Sequence, residues 1–188
     1  MIARRVVLSA AAGLALAGPA AADWSPFGKY WDNIARAAKA NDAAQVRRLL
    51  GEGHSPNETD ETGRSGLIIA AASGNLQIAA ILIKGGAQLD LRDPTGNTAL
   101  FYAADRDQVE MAKLLIDCGA AVDIQNHSGQ TPLMAAARHG DIEIVQALLA
   151  KGANPAKNDF TGRDAVGWAA DSHKPAVVQA LRRAMAKR

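Results

Sequence analysis

The chain has 188 residues, 48% of them hydrophobic but only 4% aromatic, with 21 Lys+Arg against 19 Asp+Glu. That length suits one ordinary domain, and the interspersed charges argue against disorder. Cys118 is the only cysteine, which excludes an internal disulfide framework and a cysteine-based zinc site. Ala, Leu, Ile and Val carry the apolar content, so the expected core is a set of thin layers packed through small residues.

The first 22 residues differ from the rest. Arg4 and Arg5 make a short basic start, Val6 to Ala17 is an uncharged apolar run, and Gly18-Pro19 breaks it ahead of Ala20-Ala21-Ala22. This order predicts a bacterial secretory signal peptide over 1–22, cleaved before Asp23. A membrane anchor is the alternative, but about 12 residues at 1.5 Å each fall short of roughly 30 Å of hydrocarbon. Arg4-Arg5 before Val6-Val7-Leu8 loosely resembles a twin-arginine signal, although the general secretory route also takes paired basic residues. Cleavage removes Arg4 and Arg5 and no acid, leaving 19 Lys+Arg against 19 Asp+Glu. A neutral mature chain gives no general case for nucleic acid. The expected location is the periplasm or the secreted fraction, with no membrane insertion after cleavage. Residues 23–30 form an aromatic segment with Trp24, Pro26, Phe27 and Tyr30. Together with Trp31 it is expected to cover the apolar flank of the first helix pair.

From there a 33-residue period runs to the end of the chain. Gly63, Gly96, Gly129 and Gly162 keep it, as do Ile34, Leu67, Leu100, Leu133 and Val166. Leu49, Leu82, Leu115, Leu148 and Leu181 hold the same step through all five units. Several registers on one period define a repeat architecture. Within each period, Gly-x-[Ser/Thr/Asp] comes first, as in Gly96-Asn97-Thr98, where glycine permits a turn and the third residue is a good helix N-cap. A short Ala-rich helix follows, with Ala70-Ala71, Ala103-Ala104 and Ala136-Ala137 allowing close approach between neighbours. Gly74 and Gly140 suit a left-handed C′ position. A second helix then presents residues such as Ile142, Val145, Leu148 and Leu149 on one face and ends at Gly-Ala pairs such as Gly152-Ala153.

The run Gly129-Gln130-Thr131-Pro132-Leu133-Met134-Ala135-Ala136-Ala137-Arg138-His139-Gly140, continuing to Pro155, resembles the ankyrin repeat almost throughout. The resemblance implies an all-α solenoid of about five stacked helix-pair units with short β-hairpin fingers and a concave face that binds proteins. It divides the chain into an N-terminal capping repeat at 31–59, repeats at 60–92, 93–125 and 126–158, and a C-terminal capping repeat at 159–188. The family's His after Thr-Pro-Leu is absent, with Ile68, Phe101, Met134 and Gly167 in its place. Asp107 stands where Gly74 and Gly140 stand, at about 1 kcal/mol if the site needs positive φ.

Nothing in the sequence points to catalysis or a cofactor. His54, His127, His139 and His173 read as solvated polar positions without metal-ligand spacing, and the recurrent glycines form no phosphate-binding loop. Cys118 reads as a buried or half-buried structural thiol, and Trp168 as core. By the resemblance, function lies on the finger tips and the exposed side of the first helices. The candidate binding residues there are Arg64, Arg92, Asn97, Arg106, His127, Gln130, Arg138, His139, Phe160 and Arg163. The five arginines face only Glu61, Asp105 and Asp171 as acids on the same surface, so the expected partner is a protein with an acidic or polar patch. Phe160 looks like an exposed turn aromatic with no packing role. The expected chain is a monomer on its own, acting as a non-enzymatic binding module. The alternatives are an accessory protein of a cell-envelope enzyme and a secreted effector.

Overall fold

A computed structural model describes residues 33–171 and 173–187. The signal and aromatic segments at 1–30 lie outside the described residues. The described chain is ten helices in five pairs: α1 Ile34–Lys39 and α2 Ala43–Gly51, α3 Gly66–Ser73 and α4 Leu76–Lys84, α5 Ala99–Asp105 and α6 Val109–Asp117, α7 Pro132–His139 and α8 Ile142–Ala150, α9 Ala165–Ala170 and α10 Pro175–Ala186. Helices of six to twelve residues are marginal alone. Stacking supplies what they lack: α1, α3, α5, α7 and α9 pack in series, with α2 on α4, α6 on α8 and α8 on α10. The expected all-α solenoid of five helix pairs is what forms.

Small residues set the layer spacing. Ala38, Ala71, Ala104 and Ala137 are buried at one register of the first helices, whereas Ala170 at the same register is exposed. No further layer among the described residues covers it. The second helices contribute one buried leucine per unit, at Leu49, Leu82, Leu115, Leu148 and Leu181, each at most 1% exposed.

The N-caps fall where the Gly-x-[Ser/Thr/Asp] pattern puts them. Ser65, Thr98, Thr131 and Asp164 each accept the backbone N–H three residues on, at 3.3, 3.2, 3.3 and 2.7 Å. Each first helix ends in a residue of positive φ before the second begins. Gly74 and Gly140 do so as expected, and Asp107 is held at φ 58° at the same register. Asn41 and His173 complete that register at 59° and 52°.

The fingers are tight loops rather than extended ribbons. Asp60, Asp93, Asn126 and Asp159 each donate their backbone N–H to the carbonyl four residues on, at 2.9–3.0 Å. One isolated antiparallel bridge, Thr59 with Ser65, is the β-structure among the described residues. A second set of side chains ties unit to unit: Asn57, Asp90 and Asp123 accept the backbone N–H of Gln88, Ala121 and Asn154, at 2.8, 2.9 and 2.9 Å.

Candidate binding face

The fingers are braced by a polar residue that the sequence reading missed. Asp60, Asp93, Asn126 and Asp159, spaced by 33, are 5–9% exposed. In each, Oδ1 accepts the N–H groups two and four residues on, as Asp93 does from Thr95 at 2.9 Å and Asn97 at 3.0 Å. The Thr62, Thr95 and Thr161 hydroxyls donate to the same oxygens. The second oxygen depends on the residue nine places on. Tyr102 Oη donates to Asp93 Oδ2 at 2.7 Å, and Trp168 Nε1 donates to Asp159 Oδ2 at 3.0 Å. The matching positions are Ile69 and Ala135, which donate nothing there. Asn126 carries no charge to satisfy and turns its Nδ2 to Asn97 Oδ1 at 2.9 Å. Asp60 Oδ2 is buried without a hydrogen bond, although the Arg64 guanidinium lies 3.5 Å away. Burial alone would raise the Asp60, Asp93 and Asp159 carboxyls, but the hydroxyl and N–H donors outweigh it and hold all three below the usual carboxylate range.

This bracing fixes the candidate residues in three groups. Asn97, Gln130 and Arg64 belong partly to their own fingers. Asn97 Nδ2 donates to Thr95 Oγ1 at 2.9 Å, Asn126 Nδ2 lies 3.5 Å from Gln130 Oε1, and Arg64 Nε donates to Thr62 Oγ1 at 2.9 Å. His127 and Phe160 sit at finger tips, but they are not idle. A Cβ on Gly96 would lie 2.7 Å from the His127 ring, and one on Gly129 would lie 2.7 Å from the Phe160 ring. Pro94 covers Gly63 in the same way. Each tip therefore seats on the glycine of the finger before it, which corrects the reading of Phe160 as an aromatic with no packing role. Its outer side remains open, at 75% exposure. Arg92 and Arg106 are exposed and make no ion pair among the described residues.

The third group gathers across the last three first helices. Arg138 at the end of α7 pairs with Asp105 at the end of α5, and His139 Nε2 lies 3.4 Å from the same carboxylate. Arg163 reaches Asp171 at 2.5 Å and donates to the Gly167 carbonyl at 3.0 Å. Between them stands Trp168. Its ring lies 4.2 Å from the Arg163 guanidinium carbon and 5.7 Å from that of Arg138, both within cation–π range. The ring is half-buried, not core: it packs against the margin of the apolar layers and has both guanidinium groups within reach. Its indole N–H is already used on Asp159, which locks the ring in place. Of its register partners Ile69 and Ala135 are buried, which favours core, whereas Tyr102 is half-buried like the indole itself.

Two further readings change. Cys118 is exposed rather than buried, because it is the C-cap residue of α6 and lies beyond Leu115 and Ile116, which face the core. His54 pairs with a carboxylate four residues on, Nδ1 to Glu58 Oε1 at 3.0 Å, while Glu58 Oε2 accepts the N–H of Ile34 at 3.0 Å. That link ties the first finger to the start of α1. No group of three metal-binding side chains occurs among the described residues, nor any helix long and apolar enough to cross a membrane.

Five stacked helix pairs joined by braced fingers define a helical-repeat interaction scaffold. The family model for ankyrin repeats in three copies matches residues 34–126 and again 110–187, and the chain belongs to that family. Ankyrin repeats are protein-interaction modules, and the family is typically non-enzymatic. Over 67 residues, 35% of the chain, the sequence is 42% identical to the Bos taurus uveal autoantigen with coiled-coil domains and ankyrin repeats protein. Over 78 residues, 40% of the chain, it is 38% identical to the corresponding Homo sapiens protein. The matched stretch spans 5% of the length of each relative.

Proposed function

We propose that the chain recognises a partner protein through the first-helix and finger face, centred on Arg138, Trp168 and Arg163. The observation that carries this reading is the half-buried indole with two guanidinium groups over its ring. Trp and Arg dominate interface hot spots because they combine large contact area with pre-ordered polar groups. The geometry here supplies that order before binding. Phe160 adds an exposed ring on the neighbouring finger, and Arg92 and Arg106 extend positive charge along the same surface. An acidic or polar patch on the partner complements these groups: its carboxylates compete with the half-buried Asp105 and the exposed Asp171 for the arginines. The protein acts as a monomer with no cofactor, and recognition by a rigid surface is the whole mechanism.

The same proposal places the mature chain outside the bacterial cytoplasm, in the periplasm or secreted, after removal of 1–22. The basic, apolar and small-residue order of that segment supports export. N-terminal sequencing of periplasmic protein tests it, with Asp23 as the expected first residue and an uncleaved cytoplasmic chain as the contrary result. For the binding face, a photo-crosslinking residue placed at Phe160 or Arg106 should trap the partner. Crosslinks only from the outer side of the second helices, for example at Gln146, would overturn the assignment.

A further inference from the structure

The five turns between first and second helices have their apex residues at one register: Asn41, Gly74, Asp107, Gly140 and His173, all with positive φ. The apex of each unit meets the residue 34 places on, at the start of the next unit's second helix. Asn75 Nδ2 donates to Asn41 Oδ1. A Cβ on Gly74 would collide with the Gln108 carboxamide, and one on Gly140 with the carbon chain of Lys174. The third contact in this series brings the side chain of Asp107 against that of Asp141. Between the first and second units an amide donor closes the contact. Between the third and fourth, two carboxyl groups bring only acceptors unless one of them is protonated.

Asp107 is exposed to water, but among the described residues no other side chain donates to it or to the buried second oxygen of Asp141. Asp141 caps α8, where its Oδ1 accepts the N–H groups of Glu143 at 2.9 Å and Ile144 at 3.3 Å. Its Oδ2 is buried and receives no hydrogen bond. Cations on the neighbouring elements are engaged elsewhere. Arg138 and His139 from α7 serve Asp105. Lys113 from α6 serves Glu110 and Glu143 at 3.5 and 2.8 Å. Lys174 before α10 lies along Gly140, and Arg106 beside the pair is exposed and bonds to neither carboxyl.

We infer that Asp107 and Asp141 hold one proton between them, so that the joint between the third and fourth units is fastened by an O–H···O bond at acid pH and loosened as that proton leaves. Burial, and then the Asp107 carboxyl, push the Asp141 carboxyl above its ordinary value of 3.8. The native state therefore keeps a proton that the unfolded chain has lost, and stability falls as pH rises from near 3.8 through the raised value. This is opposite in sign to the finger carboxyls Asp60, Asp93 and Asp159. The joint also carries the Arg138–Asp105 pair on the binding face, so its loosening acts on the surface proposed for recognition.

The decisive variant is Asp141→Asn. Asn is as good an N-cap as Asp, and its Nδ2 gives Asp107 the donor that Asn75 gives Asn41. Melting of the full mature chain is followed upward from about pH 4, near the ordinary carboxylate value, to about pH 8. The variant should melt a few degrees higher than wild type at the alkaline end, with the gain shrinking towards the acid end. Asp107→Asn should behave alike, on top of a pH-independent gain because Asn tolerates left-handed backbone better than most residues. Carbon-13 titration of the Asp141 carboxyl in the wild type should show it leaving its proton above the ordinary carboxylate range. A wild type-to-Asp141→Asn difference that is the same at every pH, or an Asp141 carboxyl titrating in the ordinary range, would overturn the inference.

Discussion

Replacing Asp93 with alanine removes the central brace of the second finger. Its carboxylate receives four donors: the N–H groups of Thr95 and Asn97, the Thr95 hydroxyl at 2.6 Å and the Tyr102 hydroxyl at 2.7 Å. Hydrogen bonds to a charged group contribute about 1.5–3 kcal/mol each, while hydroxyls and partly exposed N–H groups recover some of that from water. The expected loss is therefore about 3 kcal/mol, dominated by the Asn97 N–H and the part-buried Tyr102 hydroxyl. At roughly 2–4 °C per kcal/mol for a chain of this size, the melting temperature should drop by about 6–12 °C. Asp93→Asn should cost only about 1 kcal/mol, because one oxygen still takes both N–H groups and Asn126 does this natively in the next finger. Thermal and urea unfolding of both variants, with Tyr102→Phe as a third, provides the comparison. If Asp93→Ala is no worse than Asp93→Asn, the brace is not what holds the finger.

Three other outcomes follow from the same geometry. Ile69→Tyr should place a hydroxyl near the unsatisfied Asp60 Oδ2, as Tyr102 does for Asp93, and raise stability by about 1 kcal/mol in urea unfolding; a loss would mean that the Arg64 guanidinium already serves that oxygen. Because Asp60, Asp93 and Asp159 have carboxyls held below their ordinary value of 3.8, their contribution is present above that pH and is lost as pH falls below it. The melting temperature should then drop steeply below about pH 4, and less steeply in Asp93→Asn, which lacks one of these groups. Ending the chain before Asp159 exposes the apolar side of the fourth layer; at about 25 cal/mol per Å² over a few hundred Å², this costs several kcal/mol, so the truncated protein should melt far earlier or aggregate, and an unchanged melting temperature would show that α9 and α10 are not a packed layer.

The layered fold was legible because its cause is periodic. Alanine pairs, leucines and turn glycines recur at 33 residues, and each fixes one contact between neighbouring units. The N-caps were legible for the same reason. Polar residues with two roles were harder to read. Asp60, Asp93, Asn126 and Asp159 lie beside turn glycines, where a carboxylate or amide ordinarily faces water, yet here each turns inward to its own loop. Their signal was present, an Asp or Asn three places before each of the finger glycines Gly63, Gly96, Gly129 and Gly162, and so was that of Asn57, Asp90 and Asp123. Trp168 was misjudged because register alone cannot tell a buried isoleucine from an indole too large for the same slot. Cys118 was misjudged because an apolar helix says little about its cap. The pairing of Arg138 with Asp105 and of Arg163 with Asp171 joins residues 33 and 8 apart, which no local motif encodes.

Recognition through the Arg138–Trp168–Arg163 cluster is tested most directly by the affinity of the crosslinked partner, once isolated, for wild type and for Trp168→Ala and Arg138→Ala in titration calorimetry. Both variants are first shown to be folded by their melting curves, since Trp168→Ala also frees Asp159 Oδ2. At least one of them should lose about 2 kcal/mol or more, roughly thirtyfold in Kd, with exposed positions outside the cluster such as Gln146 costing little. Unchanged affinity in both folded variants would contradict recognition through this cluster.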